Sequence, residues 1–561
     1  LASSGLGSKE LRCGEWWLTE LGCARHGRVD SGPRMDAIAW IGSSQWQLVC
    51  RGNVVGSRCR RSRAAMAALT VVERATEPIE GQKTGTSGLR KRTEVVVKQP
   101  EFVCNWAQSL FDALGGPAAL RGETLVVGGD GRYYNREAAQ ALIRLAAGNG
   151  FGRVVVAQDV IMSTPAVSAA IVRRGALGGI IMTASHNPGG PHGDWGIKYN
   201  TANGAPATEV LLDRVYANTL EVRRYLWWDR EDPIDLSTPG ETAFEDGTFV
   251  VQVIDGAEDH VDVLRKCFDF DELRKFGARP DFSMCFDAMH AVSGPSAKRV
   301  LLQELGLADE STINSEPLED FGGLHPDPNQ TYAEQLINIM DPQQHSRVPD
   351  LGAASDGDGD RNMVLGPGFF VTPSDSLAVI AAYAREAIPY FADGLKGLAR
   401  SMPTSRAVDR VAEALQVGMY ETPTGWKFFG NLMDSGQISL CGEESFGLGS
   451  DHIREKDGLW AVLAWLSILA FRNRTTPVGE LIGVQQVVEE HWLKYGRHFY
   501  QRHDYENVDA AQGAAVVETV RSLMKARREI LDRYAAIAPR GGGRARKRLA
   551  RAPAGQRSLQ P

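Results

Sequence analysis

"ETLVVGGDGRYYNREAAQALIRLAAGNGFGRVVVAQ", Glu123 to Gln158, decides the fold. The apolar run "TLVV" breaks at a glycine-rich turn and reads as a buried strand. "NREAAQALIRLAAGNG" carries apolar residues at helical spacing and stops at Asn-Gly. "GRVVVAQ" is a strand again. A strand, a helix and a second strand so closely spaced require a crossover, and hence a parallel or mixed sheet. The rhythm continues through a helix with a Ser/Thr-Pro start, "STPAVSAAIVRRGA", to the strand "LGGIIMTAS", which ends on Ser185. It recurs as "DFSMCFDAMH" into "SGPSAKRVLLQELG", as "DLGAASDGDGDRN" through "GFFVTP" into "SDSLAVIAAYAREAIPYF", and as "ARSMPTS" before "RAVDRVAEALQ". We therefore expect three successive α/β units with boundaries near residues 258 and 372, then a mostly helical segment from about residue 487.

The bulk numbers suit a soluble protein. Of 561 residues, 43% are apolar and 23% charged, enough for about three or four domains. A net charge of -7 gives no reason to expect nucleic acid or an anionic membrane as a partner. No apolar run reaches the length of a membrane span. The eight cysteines include no Cys-x-x-Cys pair, so neither a zinc site nor a disulfide framework is expected.

The two ends read differently. Residues 1–65 are rich in arginine and tryptophan without a clear period, and Met66 opens a stretch that resembles a natural start. Non-native translated sequence, an Arg-rich transit segment and a disordered extension are the three readings. We expect a cytoplasmic protein, or a plastid one if the transit reading holds. At the other end, "RGGGRARKRLARAPAGQRSLQP" reads as a disordered basic tail.

The strongest chemical motif is "DGDGDRN", Asp356 to Asn362. Period two in extended backbone sends Asp356, Asp358 and Asp360 to one side, and the glycines let the chain fold closely around an ion. Three carboxylates and one further anionic oxygen suit a hard cation such as Mg²⁺. A calcium loop would need Glu at its twelfth position, where this chain has Pro367. An acidic surface turn is the plain alternative.

Other stretches are weaker alone. "TSGLRKR", Thr86 to Arg92, offers hydroxyls and Arg90 to a phosphate. "TPTGWKFFG", Thr422 to Gly430, and "CGEESFG", Cys441 to Gly447, set polar groups among glycines and aromatics; Glu443 and Ser445 alternate onto one face, as a sugar diol would need. "HIREKDG", His452 to Gly458, supplies Arg454 and Lys456. The turn "TASHNPGG", Thr183 to Gly190, holds a serine without the Gly-x-Ser-x-Gly elbow of a hydrolase. Neighbours on an extended chain point opposite ways, so His186 is not an automatic base for Ser185. A phosphate on Ser185 would instead supply the anionic oxygen that the three aspartates lack.

Together "KTGTSGLRKR", "TASHNPGG", "DGDGDRN", "TPTGWKFFG" and "GEESFG…DHIREKDG" resemble the α-D-phosphohexomutase family, most of all its eukaryotic phosphoglucomutases, from about Pro78 to the region of Tyr505. The resemblance implies four domains around one cleft; in this chain we expect three α/β domains with mixed sheets around a central cleft, plus an incomplete, mostly helical C-terminal segment. The divisions expected are a non-family extension at 1–75, domain I with the phosphoserine loop at 76–258, domain II with the metal loop at 259–372, domain III with the sugar loop at 373–486, and a truncated fourth domain with the basic tail at 487–561. It implies a phosphoserine at Ser185, and one Mg²⁺ held by Ser185, Asp356, Asp358 and Asp360. The reaction implied is interconversion of glucose 1-phosphate and glucose 6-phosphate through glucose 1,6-bisphosphate, by a monomeric isomerase whose partner is a phosphosugar. Catalytic residues would be Ser185, His186, Lys456, Arg90 and Lys198. Thr86, Ser87, Thr424, Gly425, Glu443, Ser445 and Arg361 would bind substrate. A non-catalytic scaffold protein and a phosphomannomutase are the alternatives.

Two departures stand out. An Arg-x-Ser-Gly-Thr-Gly-Ser loop, which in the family grips the phosphate not being transferred, does not occur in this sequence, and "VVETVRSLMKARREILDRYAAI" reads as one amphipathic helix. Without that clamp, a severe loss of turnover is expected. Ser355 stands where the family usually has a bulky apolar residue.

Overall fold

The computed structural model describes residues 69–85, 87–500 and 508–537. Residues 1–65, Met66, Thr86, Tyr505 and the tail from 538 lie outside the described residues.

Three large sheets follow one another along the chain, beside a two-stranded antiparallel pair of Val71–Ala75 and Arg224–Trp228. In the first, Gly178–Met182, Thr124–Gly129, Arg153–Ile161 and Phe249–Ile254 run parallel in that spatial order. Antiparallel strands close both sides: Asp194–Thr201 and then Leu89–Arg92 beyond Gly178–Met182, and Gly240–Phe244 beyond Phe249–Ile254. The second sheet orders Thr312–Ile313, Met284–Asp287, Leu351–Ser355, Asn362–Gly366 and Phe369–Val371, the last two antiparallel to their inner neighbours. The third orders Gly418–Thr422, Gly397–Ser401, Leu440–Gly442 and Leu448–Ser450, with only the last antiparallel. The sheets are thus mixed, as the alternating sequence pattern predicts.

One topological step is repeated in all three. A parallel strand ends, a short loop follows, and the chain returns as its antiparallel neighbour. The loops are 183–193, 356–361 and 443–447. They carry the serine turn, the aspartate triplet and the "EES" motif. Ligands of open α/β sheets gather at the carboxyl ends of strands, where backbone groups are left unpaired.

The crossover helices begin on residues suited to the task. The Ser163 hydroxyl accepts from the Ala166 N–H, with Pro165 in the first turn of Thr164–Arg173. Thr372 caps Pro373–Ala387 in the same way through the Asp375 N–H. Each cap satisfies a donor that the helix leaves open. Helix Gly458–Arg472, "GLWAVLAWLSILAFR", is apolar on every face and buried over nearly its whole length. It joins the second and third units: Phe268, Phe286 and Leu351 share one continuous core with Leu377, Trp460, Trp465 and Leu440. The segment read as starting at residue 487 begins inside helix Val484–Tyr495, whose Val484, Val487 and Val488 enter that same core. Helix Ala510–Ile537 follows the expected amphipathic stretch, and its Val516, Leu523 and Ile530 are exposed. Among the described residues no helix is long and apolar enough to cross a membrane.

Candidate active site

Ser185 sits three residues past the strand Gly178–Met182, buried, with a left-handed φ of 54°. That conformation is uncommon outside glycine and needs support. The support comes from the turn "GGDGRYY". Asp130 and Arg132 form an ion pair at 2.8 Å in which both side chains are buried. Arg132 donates to the Ser185 carbonyl at 2.9 Å and to the Asp194 carbonyl at 2.7 Å, bracketing the serine loop. Thr183 donates its hydroxyl to Asp130 at 2.5 Å and accepts the Ser185 N–H at 2.7 Å.

The left-handed turn corrects one expectation. Because Ser185 is not extended, its side chain and that of His186 do not diverge: Oγ lies 3.2 Å from His186 Nδ1. Burial, then the nearby Arg361, Arg90 and Lys456, push the imidazole down to about 2, so it stands there as a neutral ring. Arg90, on the edge strand Leu89–Arg92, reaches the same loop through Asn187 at 3.4 Å.

The aspartate loop packs directly onto this turn. A Cβ at Gly357 would collide with the Ser185 carbonyl oxygen, so only glycine lets the two loops approach so closely. Ser185 Oγ donates to Asp356 Oδ2 at 3.1 Å. Asp356, Asp358 and Asp360 are all buried and offer oxygens within 4.8 Å of one another. Both oxygens of Asp356 are thus engaged, and one oxygen each of Asp358 and Asp360. Asp356 Oδ1 accepts the N–H groups of Asp360 and Arg361, each at 3.0 Å. Asp358 Oδ2 accepts Thr164 Oγ1 at 2.7 Å and Lys198 Nζ at 3.0 Å. Asp360 Oδ2 pairs with Lys456 Nζ at 2.8 Å. The other oxygens of Asp358 and Asp360 are buried and find no partner in the protein. Leaving carboxylate oxygens dry and unpaired is costly. A hard cation at this point would satisfy them, so these residues fit the metal that the sequence suggests. Burial and the two neighbouring carboxylates push Asp356 well above the usual range. Burial would also raise Asp358, but Lys198 and Lys456 hold it below.

A cavity of about 330 Å³ opens beside these groups. Its walls come from all three α/β units: Ser87 and Lys198 from the first, Asp360 and Arg361 from the second, and Thr424, Gly425, Glu443, Ser445 and Lys456 from the third. Glu443 accepts the Gly425 N–H at 3.2 Å, tying the two predicted sugar loops together. The aspartate loop is bound to this side as well. Arg361 bridges Gly447 in antiparallel fashion, and the Asn362 N–H donates to the Phe446 carbonyl at 3.0 Å. Ser355 fills its place by donating to the Arg361 carbonyl at 2.9 Å beneath the loop, next to Gly458.

Several residues at the site escaped the sequence reading. Asp130 and Arg132 stood in a stretch read only as a strand and its turn. Thr164 was read as part of a helix start. Asp327, from "HPDPN", pairs with Arg361 at 2.9 Å. Glu455 lines the cavity, accepts the Asn200 amide at 2.9 Å, and is pushed up to about 7 by burial. A buried acid beside Lys456 in "REKDG" was a signal that could have been followed.

Comparison with known proteins agrees with this geometry. Family profiles described as phosphoglucomutase/phosphomannomutase alpha/beta/alpha domains I, II and III match residues 81–225, 258–368 and 372–488. Phosphoglucomutase 1, chloroplastic, of Marchantia polymorpha is 56% identical over 451 residues, covering 80% of this chain and 68% of its own length. The cytoplasmic phosphoglucomutase of Populus tremula is 54% identical over 467 residues, covering 81% of this chain and 80% of its own. The crystal structure of the exocytosis-sensitive phosphoprotein pp63/parafusin, a phosphoglucomutase from Paramecium in an open form, superposes with a TM-score of 0.76 at 49% identity, covering 81% of each chain.

Proposed function

We propose a function from one premise: the chain belongs to the α-D-phosphohexomutase family. It is a phosphoglucomutase, an isomerase that interconverts glucose 1-phosphate and glucose 6-phosphate by passing a phosphoryl group through Ser185, with glucose 1,6-bisphosphate as the species between. One observation carries the reading. A buried serine hydroxyl, on a strained turn, lies 3.1 Å from Asp356 in a triad whose remaining oxygens are unpaired.

The parts then divide as follows. Ser185 carries the phosphoryl group. Asp356, Asp358 and Asp360 would hold Mg²⁺, whose charge would draw electron density from that group. Lys198, Lys456 and Arg361 are each paired to an aspartate of the loop or to Asp327, and present fixed positive charge to the cavity. Such preorganised cations stabilise charge that builds up during transfer without having to reorganise. Arg90 flanks the serine loop from the other side. His186, a neutral ring within hydrogen-bond reach of Oγ, orients the hydroxyl. Glu443 and Ser445 meet the sugar hydroxyls from the third unit, with Thr424 and Gly425 beside them, and Ser87 faces them from the first.

The test is intact mass after incubation of the full chain with glucose 1,6-bisphosphate and Mg²⁺. One added phosphate, absent from Ser185→Ala, is expected. No added phosphate, or the same gain in Ser185→Ala, overturns the assignment. A coupled assay from glucose 1-phosphate, run against mannose 1-phosphate, reads the sugar preference, and glucose is expected to win.

A further inference from the structure

The three aspartates share an arrangement that their spacing does not require. Each has one oxygen held from behind by protein donors: Asp356 Oδ1 by two backbone N–H groups, Asp358 Oδ2 by Thr164 and Lys198, and Asp360 Oδ2 by Lys456; the second oxygens of Asp358 and Asp360 are unpaired, and that of Asp356 takes the Ser185 hydroxyl. A carboxylate so engaged is held to a single metal contact. If its second oxygen were released, it could turn and grip an ion with both. Mg²⁺ demands near-octahedral geometry with short single contacts, whereas Ca²⁺ accepts six to eight oxygens and often takes a carboxylate bidentately. The donors behind the triad therefore bear on which ion fits.

Thr164 is the donor with the least other business. Its hydroxyl gives the shortest hydrogen bond onto the triad, 2.7 Å to Asp358 Oδ2, and its backbone N–H meets the Asp358 carbonyl at 2.9 Å. It is fully buried and carries no charge. The chain is bent to put it there. Along Arg153–Ile161, pairing with the neighbouring strand jumps from Val127 opposite Val156 to Gly129 opposite Ile161. The extra residues include Asp159 and Val160, with φ of 53° and 66°. A buried β-branched residue in the left-handed region is a true outlier and persists only where the surroundings insist. The strand then ends, Ser163 caps the helix, and Thr164 points at the aspartate loop.

We propose that Thr164 is a positioning residue that selects Mg²⁺ over Ca²⁺ by holding Asp358 to one metal contact. The inference rests on the metal reading of the triad given above. The test is calorimetric titration of MgCl₂ and CaCl₂ into the full, unphosphorylated chain and into Thr164→Val, Thr164→Ser and Asp358→Asn. Valine keeps the shape and the backbone bond but removes the hydroxyl. Loss of a partner behind a metal ligand typically costs about 10- to 100-fold in affinity. Thr164→Val should weaken Mg²⁺ binding by about tenfold and lower the ratio of Ca²⁺ to Mg²⁺ dissociation constants by at least that much, and Thr164→Ser should restore both. A folded Thr164→Val with an unchanged ratio overturns the inference while leaving the metal site standing. If valine prevents folding, Thr164→Ala is read by the same ratio. Mg²⁺ binding that is absent from the unmutated chain, or unaffected by Asp358→Asn, overturns the metal reading and the inference with it.

Discussion

Arg132→Met should loosen the loop that carries the serine. Arg132 is about 1% exposed, and its partner Asp130 is equally buried. Methionine fills much of the same volume but removes the hydrogen bonds to Asp130 and to the carbonyls of Ser185 and Asp194. Asp130 would then be a buried carboxylate with no cation. Breaking a buried pair from one side costs about 3–5 kcal/mol, because the stranded charge cannot be hydrated. A whole domain is stable by only about 5–15 kcal/mol. For a domain of about 150–250 residues, each kcal/mol lowers the melting temperature by about 2–4 °C, so a fall of roughly 6–20 °C is expected. The local effect should be larger in its consequences. Ser185 holds its left-handed turn against strain, and with its carbonyl released the hydroxyl drifts from Asp356. Differential scanning fluorimetry reads the first effect, and the rate of phosphate uptake from glucose 1,6-bisphosphate reads the second. The double variant Asp130→Asn/Arg132→Met removes both charges and should recover part of the stability but not the phosphorylation rate. An Arg132→Met protein that melts within about 2 °C of the unmutated chain and takes up phosphate at the same rate would refute the reasoning.

Three further outcomes follow from the same contacts. Gly357→Ala must push the metal loop off the Ser185 carbonyl; overpacking of this kind costs about 1–3 kcal/mol, and Mg²⁺ affinity and phosphate uptake should fall together, measured by calorimetry and intact mass. Glu443→Gln removes a buried carboxyl from the cavity wall, and losing one charge-assisted hydrogen bond of about 1.5–3 kcal/mol should lower kcat/KM for glucose 1-phosphate by roughly 10- to 100-fold in the coupled assay, with Mg²⁺ affinity measured by calorimetry unchanged. Asp457 caps the central helix and is bridged by His260 at 2.6 Å and His452 at 3.0 Å; burial opposes its charge, but the two imidazoles carry it well below the usual carboxylate range. Its contribution is therefore complete above the unfolded value of about 3.9 and is lost as pH falls further, so the gap in melting temperature between the unmutated chain and Asp457→Asn should be wide at pH 7 and close below about pH 4.

The residues legible in the sequence were those whose chemistry is written locally. Alternating strand and helix patterns gave three α/β units because crossover connections are short and leave their period in the chain. Asp356, Asp358 and Asp360 were visible because ligand spacing within one loop is a local property. What was not legible is the support from afar. Nothing in "GGDGRYY" says that Asp130 and Arg132 will clamp a serine more than fifty residues on, and nothing in "MSTPAVS" says that Thr164 will meet Asp358. The expectation that the Ser185 and His186 side chains point opposite ways does not hold, for a related reason. It assumed extended backbone at Ser185, and the left-handed turn is imposed by contacts with distant residues rather than by the serine itself.

The repeated loop position explains why three separate units can build one site. Each unit offers the loop that follows a parallel strand and precedes its antiparallel neighbour, so each presents its side chains at the same end of its sheet. The aspartate loop stands between the other two and is bonded to both. Gly357 lies against Ser185, Asp358 is held from Thr164 and Lys198, and on the other side Arg361 and Asn362 pair with the sugar loop while Gly458 donates to the Gly359 carbonyl at 3.2 Å. A change in how this loop is filled must therefore be felt by the serine and by the sugar groups together. That coupling is mechanical and short, running through contacts within one loop of seven residues, Asp356 to Asn362. It predicts that variants on either side of the loop, such as Thr164→Val and Gly458→Ala, will affect one another's metal affinity non-additively, whereas a variant in the exposed helix Ala510–Ile537, such as Leu523→Ala, will add independently to either.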